Sequence, residues 1–488
     1  MKTLRHITNI CKTNKYFIGI IALCVFNIII RIPFLNLPAI GDEAIYYNGV
    51  LKVLNNNLNP FIEFRSYKPP VIFWLIAFLF KTFSPSRIIA HFTIYLFSSC
   101  ALYFVYAIGK KIRSEQVGFL AALLLFITPT FASQSMLFMD SIVISSMLYI
   151  TVFAYLSKRK TLYIIFCSIL VLTKEPEIFV PFILFFSSLY ALWKNQALTV
   201  KGIARNCYLL LPSVCFGLWI MVNKYMFGWY VWPINTGFLS FSYENIFVRL
   251  KQIFIDSAIW PIAIVAIIGF YLQKNSLTKR SLIPLCFLFI FYAGVFLIFP
   301  SWPRYVLPIY PLLYLMGFTS ISYFKSGRYL WLCMVIFTCL LMGSWAILAF
   351  KSQISGTWSE EYLFRKISLN ERTIRFIHEH YPNAIIAASG GENIEIYTDP
   401  FLGYVTPETR FSYSGLLFCH EPSAEEKGYI ILDNTILSNT NNPIIYVKAS
   451  YAGSCRNLPL DFQYVQRIFD ITGNKFTYND IYVKNINK

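Results

Sequence analysis

Hydrophobic residues in this chain come in long unbroken runs rather than in one-sided or alternating patterns. Runs near 16–32, 88–109, 117–137, 141–157, 208–227, 254–272, 282–299, 305–324 and 329–350 approach the length of about 20 residues that a helix needs to cross a bilayer. Residues 161–193 are broken at Thr173-Lys174-Glu175-Pro176. The halves, 161–173 and 177–193, read as a helix pair that goes out and comes back. Counted separately, they bring the prediction to about eleven spans. The apolar run at 71–83 has only thirteen residues, which predicts an interfacial or re-entrant helix. Residues 44–54 have the spacing of an amphipathic surface helix.

After residue 350 the pattern changes. A helix is expected over 370–380, ended by Tyr381-Pro382, then a strand over 384–388 and loops rich in Gly, Asn, Pro and Ser. The expected fold class is a membrane all-α bundle over residues 1–350, followed by a small soluble α+β domain over 351–488. No internal repeat and no low-complexity segment is visible.

Composition agrees with the runs. The chain is 57% hydrophobic and 14% charged, against about 25% charged in soluble domains. A net charge of +18 could point to nucleic acid, but its distribution excludes that class. Residues 1–350 hold 29 Lys or Arg against 9 acids, and residues 351–488 hold 13 against 15. The excess lies in short loops between apolar runs, which is the positive-inside pattern. Keeping the basic loops at 110–113, 158–160, 194–205, 274–280 and 325–328 on one side puts the N-terminus in the cytoplasm and the C-terminal domain outside. The first run lacks a small-residue cleavage site and reads as a retained span. Nine of eleven cysteines lie in or beside apolar runs; Cys419 and Cys455 are disulfide candidates if their compartment is oxidising.

With so few acids in the membrane part, the ionisable residues outside the basic loops are candidates for function. Asp42 and Glu43 follow the first span, then Tyr67 and Lys68-Pro69-Pro70, then Asp140, Lys174-Glu175, Trp302, Arg304 and Tyr305. None was used to set the orientation, yet all fall on the external side. Each has a plain structural reading. Asp42 or Glu43 can cap a helix, Lys68 can snorkel, Lys174 and Glu175 can form an internal pair, and Trp302 and Tyr305 can anchor at the interface. The functional reading makes Asp42 a general base, strengthened if desolvation raises its pKa. Lys68 and Arg304 would then meet a phosphate, the arginine bidentately. The five histidines form no ligand-spaced cluster, so no obligatory metal is expected.

These residues carry a resemblance. Gly41-Asp42-Glu43-Ala44-x-Tyr46-Tyr47, Lys68-Pro69-Pro70 with an apolar helix, Met139-Asp140, Thr173-Lys174 and Pro303-Arg304-Tyr305-x-Leu307-Pro308 occur in that order. The chain resembles GT-C type membrane glycosyltransferases over roughly residues 20–325. The nearest group holds the protein O-mannosyltransferases and the aminoarabinose transferases of lipid A. The resemblance implies transfer of a sugar from a polyprenyl phosphate donor to a hydroxyl on the external face, with inversion. It implies catalysis by Asp42, and Glu43 is placed with it as a second catalytic residue. Lys68, Arg304 and Tyr305 would lie at the donor phosphate, and Asp140, Lys174, Glu175 and Tyr67 would line the cavity. Some relatives have Glu where this chain has Tyr67, which removes one possible metal ligand.

Size and layout also resemble serotype-converting O-antigen glucosyltransferases. The expected reaction is therefore transfer of a hexose, glucose first, from undecaprenyl phosphate to a surface glycan of a bacterial inner membrane. Lipid A and protein hydroxyls are the alternative acceptors. Sugar recognition is assigned to Trp229, Tyr230 and Trp232. The alternative of another class is a transporter or flippase of lipid-linked sugars, which would favour midplane charges and internal repeats.

Overall fold

The computed structural model describes residues 15–40, 42–62, 68–231, 243–251, 254, 259–272, 276–298, 303–324, 327–350, 360–388, 394–411, 414–416, 443–449, 463–469 and 478–484. Tyr67, Trp232, Trp302, Cys419 and Cys455 lie outside them.

The first half of the chain folds into α1 (Lys15–Ile29), α2 (Glu43–Asn55), α3 (Val71–Phe83), α4 (Arg87–Ile112), α5 (Glu115–Phe126), α6 (Pro129–Gln134), α7 (Asp140–Leu156), α8 (Lys160–Val171) and α9 (Phe179–Lys194). Then come α10 (Val200–Asn206), α11 (Leu211–Phe227), α12 (Tyr243–Leu250), α13 (Trp260–Leu272), α14 (Ser276–Ile298), α15 (Ile309–Phe324) and α16 (Gly327–Phe350). Among the described residues four helical segments are long and apolar enough to cross a membrane: Lys15–Phe34, Arg87–Ile112, Glu175–Lys194 and Val200–Phe227. Shorter apolar helices, including α3, α5, α7 and α8, accompany them.

Surface chemistry shows what surrounds the bundle. On α1, Ile20, Leu23 and Asn27 are buried, whereas Phe17, Ile21, Val25, Phe26 and Ile29 are exposed. An outward face this apolar suits lipid, not water. The helix α7 lies at the centre, buried along nearly its whole length. Close crossings use small residues. A Cβ on Gly109 of α4 would stand 2.3 Å from the Gly118 Cα of α5, and one on Gly269 of α13 would stand 2.0 Å from the Ser320 side chain of α15.

One expected span is divided. The run at 117–137 forms α5 and α6 with a turn at Ile127-Thr128. Pro129 causes this: it disfavours helical backbone at the residue before it, and Thr128 is extended. Other breaks fall as the pattern predicts. A short 3-10 turn, Glu175–Ile178, separates α8 from α9.

Beyond the membrane helices, α17 (Glu360–His380) precedes β1 (Ile385–Ala388), β2 (Ser414–Leu416), β3 (Ile444–Ala449), β4 (Gln463–Phe469) and β5 (Tyr478–Lys484). The sheet order is β2-β1-β3-β5-β4, with β1 parallel to β2 and β3, and β5 antiparallel to β3 and β4. This segment docks on the bundle through residues 399–404. The Ala39 amide donates to the Leu402 carbonyl at 2.9 Å. Arg87 donates to the Phe401 carbonyl at 2.5 Å and to Asn36 at 2.8 Å. The Phe401 ring packs edge-on to Tyr47 and Phe80.

Candidate active site

Asp42 stands at the N-cap of α2, where its side chain makes no capping hydrogen bond. The helix buries Glu43, Ala44, Tyr46, Tyr47, Val50 and Val53, which share one face at three- and four-residue spacings. That face turns Tyr46 onto Phe73 of α3, with ring centroids 5.4 Å apart. The Asp42 carboxylate is free to reach the Arg304 guanidinium, with which it forms a direct ion pair. Arg304 comes from the turn Pro303–Val306, immediately before α15.

A second cluster adjoins the first. Lys68 is brought in by the start of α3, whose Val71 amide donates to the Leu172 carbonyl at 3.2 Å. That bond sets Lys68 beside Lys174, at the break between α8 and α9. Between the ammonium groups lies Asp140, the first residue of α7, 3.5 Å from Lys68 and 3.2 Å from Lys174. An acid in a first turn is also favoured by the helix dipole. Lys68 donates to the Tyr46 hydroxyl at 2.7 Å. The Tyr305 ring sits between cations, 4.0 Å from Lys174 Nζ and 5.3 Å from the Arg304 guanidinium carbon. Glu175 lies within electrostatic reach of Lys68 and Lys174.

Thus Asp42, Lys68, Asp140, Lys174, Glu175, Arg304 and Tyr305 come together from five chain segments. The pairing differs from the simplest expectation, since the salt-bridge partner of Lys174 is Asp140 across the site. Glu43 stands apart. It is fully buried, and its carboxylate accepts from the amides of Ile40 at 2.8 Å and Phe138 at 2.6 Å, with His91 at 3.1 Å. Trp229 stacks on Phe227, and Tyr230 lies under Lys224.

The electrostatics correct one expectation. Burial by itself would raise the Asp42 pKa, but Arg304 and Lys68 outweigh it, so the carboxyl is held below its ordinary value. Asp42 is therefore ionised and, while paired, a weak base. Burial likewise opposes charge on Lys68, yet Tyr46 and Asp140 overcome it and hold the lysine above its ordinary value. The site presents three fixed cations around two carboxylates in direct contact with them. Among the described residues no group of three His, Cys, Asp or Glu side chains gathers for a metal ion.

Sequence reasoning gave Tyr46 no role, although it was part of the motif and stands four residues after Asp42. It missed His91 altogether, because a single histidine in an apolar run gives no sign of its partners. It also missed the buried hydrogen bond from Tyr292 to Glu177.

Comparisons with known proteins bear on the fold. The family model described as dolichyl-phosphate-mannose-protein mannosyltransferase matches residues 67–222. ArnT from Cupriavidus metallidurans bound to undecaprenyl phosphate superposes with a TM-score of 0.58 at 12% identity, covering 96% of this chain and 98% of that one. Its apo form gives 0.58 at 12% identity, covering 97% and 99%. AglB, the oligosaccharyltransferase of Archaeoglobus fulgidus, in complex with an inhibitory peptide and a dolichol-phosphate, gives 0.50 at 12% identity, covering 96% and 74%. Among curated protein sequences none matches. The fold is that of GT-C type membrane glycosyltransferases, as the ordered motifs implied.

Proposed function

We propose that this chain is a membrane glycosyltransferase that moves a hexose from a polyprenyl phosphate to an acceptor hydroxyl on the external face. The observation that carries this reading is the junction of Asp42 with Arg304, Lys68, Lys174 and Asp140 around Tyr46 and Tyr305. Two carboxylates among three cations suit a reaction in which one acid deprotonates a hydroxyl and the cations receive a departing phosphate. The motif order, the matched family model and the whole-length likeness to a protein bound to undecaprenyl phosphate support the donor class.

In this mechanism the donor phosphate settles among Arg304, Lys68 and Lys174. Its negative charge competes with Asp42 for the guanidinium and loosens the resting pair. Asp42 then takes the acceptor hydroxyl proton. The acceptor oxygen forms a bond to the sugar's anomeric carbon as the bond from that carbon to the phosphate oxygen breaks. The electron pair leaves with the polyprenyl phosphate, where the cations stabilise it. Attack opposite the leaving group inverts the anomeric centre. Tyr305, held against two cations, orients them.

The acceptor we favour is a surface glycan such as O-antigen, with undecaprenyl phosphate as carrier and glucose as the sugar. The membrane is the bacterial inner membrane, with the C-terminal segment in the periplasm. The second acceptor reading, a protein hydroxyl, is favoured by the mannosyltransferase family model over residues 67–222. Purified protein offered a panel of polyprenyl-phosphate sugars and each acceptor class tests the proposal. Consumption of one hexose donor with a glycosylated acceptor is expected. Turnover of none of the donors would overturn it.

A further inference from the structure

Glu43 and His91 form a buried connection that the proposed chemistry does not use. Both side chains are fully enclosed, with no accessible surface. His91 Nδ1 lies 2.8 Å from the Leu35 carbonyl. A carbonyl only accepts, so Nδ1 carries a hydrogen. His91 Nε2 faces Glu43 Oε1 at 3.1 Å and the Tyr47 hydroxyl at 3.4 Å. With Nδ1 protonated, the contact to Glu43 needs one more proton. Either the ring is an imidazolium facing a carboxylate, or a protonated Glu43 donates to Nε2. In both cases one proton lies between two buried groups. Arg87 and Tyr95 lie within electrostatic reach of Glu43.

The same carboxylate joins two segments far apart in sequence. Oε2 accepts from the Ile40 amide at 2.8 Å, and Oε1 accepts from the Phe138 amide at 2.6 Å. Ile40 stands two residues before Asp42, and Phe138 two residues before Asp140. Glu43 therefore ties the loop that carries one site carboxylate to the turn that carries the other. His91, anchored on α4 and held at Leu35, fixes the rotamer of that tie.

We propose that Glu43 and His91 are positioning residues, a proton-sharing clamp that sets the Asp42 loop against the Asp140 turn. This rests on the transferase reading, and it gives Glu43 a role distinct from that of a group touching substrate. With no accessible surface, Glu43 has no route to an acceptor hydroxyl. A misplacement of about 1 Å at a reacting group lowers rate by about 100-fold.

The test measures transfer by purified Glu43→Ala, Glu43→Gln and His91→Ala. Glu43→Ala and His91→Ala are expected to lower kcat by about 10- to 100-fold and to leave the donor KM within about threefold. Glu43→Gln keeps one acceptor oxygen for a backbone amide and offers an NH2 to a neutral His91. It is expected to retain more than about a tenth of wild-type kcat. Retained binding of undecaprenyl phosphate by Glu43→Ala establishes that the variant folds. Wild-type kcat in both alanine variants would overturn the clamp. So would Glu43→Gln as inactive as Asp42→Asn, which would place Glu43 in the chemistry. Nitrogen-15 histidine spectra, with the His91 signals assigned by their loss in His91→Asn, give a readout independent of turnover. If the wild type uses no polyprenyl donor, the transferase reading fails while the spectra still judge the clamp. His91 signals that do not move on Glu43→Gln would overturn it.

Discussion

Asp42 occupies a helix-capping position but turns its carboxylate away from the helix amides to Arg304. The sequence contained both halves of that fact. Asp before a helical run is a capping signal, and an external arginine runs against the positive-inside bias. Which attraction wins depends on a neighbour 262 residues away, and local pattern carries no such distance. The consequence is testable by pH. Arg304 and Lys68 hold Asp42 below the ordinary aspartate value against the effect of burial. Arg304→Gln removes the stronger cation, so burial gains weight and the Asp42 pKa rises. Transfer needs the ionised form, so activity at low pH is lost sooner. The acid limb of kcat/KM for the acceptor is expected to move to higher pH than in the wild type. An unmoved limb would contradict the pairing. Lys174 offers a second check. On the proposed mechanism, Lys174→Met removes one of the cations that would face the donor phosphate and leaves Asp140 with Lys68. The donor KM is expected to rise about tenfold, measured by titration of the polyprenyl-phosphate hexose.

At the scale of elements, hydrophobic runs located the helices well because lipid demands an apolar stretch of fixed length. They fixed the helix break at Thr173 to Pro176 and the thirteen-residue α3. Missed was the turn between α5 and α6, where Pro129 acts within an unbroken apolar run. Helix crossings were not legible either, since close contacts rest on single glycines. A Cβ on Gly118 would meet the Tyr106 carbonyl oxygen at 2.1 Å, which backbone must relieve by moving. Gly118→Val is expected to destabilise the bundle by about 1–3 kcal/mol, seen as a lower melting temperature of the detergent-solubilised protein. The C-terminal segment presses on the same region through Phe401, which packs on Tyr47 of α2 and Phe80 of α3. Phe401→Ala is expected to loosen that contact and to raise protease cleavage between residues 394 and 411. Wild-type resistance would contradict a docked segment.

Across the whole molecule, charge asymmetry and site convergence support one another. Orientation was set only by basic loops, yet the side chains then placed on one face meet in the structure at hydrogen-bond and ion-pair distances. Exact partners stayed out of reach because they depend on how α3, α7 and α15 cross. Our orientation puts both the site and the C-terminal sheet outside the cytoplasm. Reporter fusions at the C-terminus are expected to be active as a periplasmic phosphatase and inactive as a cytoplasmic galactosidase. The reverse would contradict the orientation. In the proposed transfer from polyprenyl phosphate, Asp42 takes the acceptor proton. The most direct test of this step compares wild type and Asp42→Asn in single-turnover transfer from a polyprenyl-phosphate hexose the wild type consumes, with donor binding measured in parallel. A loss of at least about 100-fold in the transfer rate is expected, with donor still bound. Transfer at the wild-type rate by Asp42→Asn would contradict it.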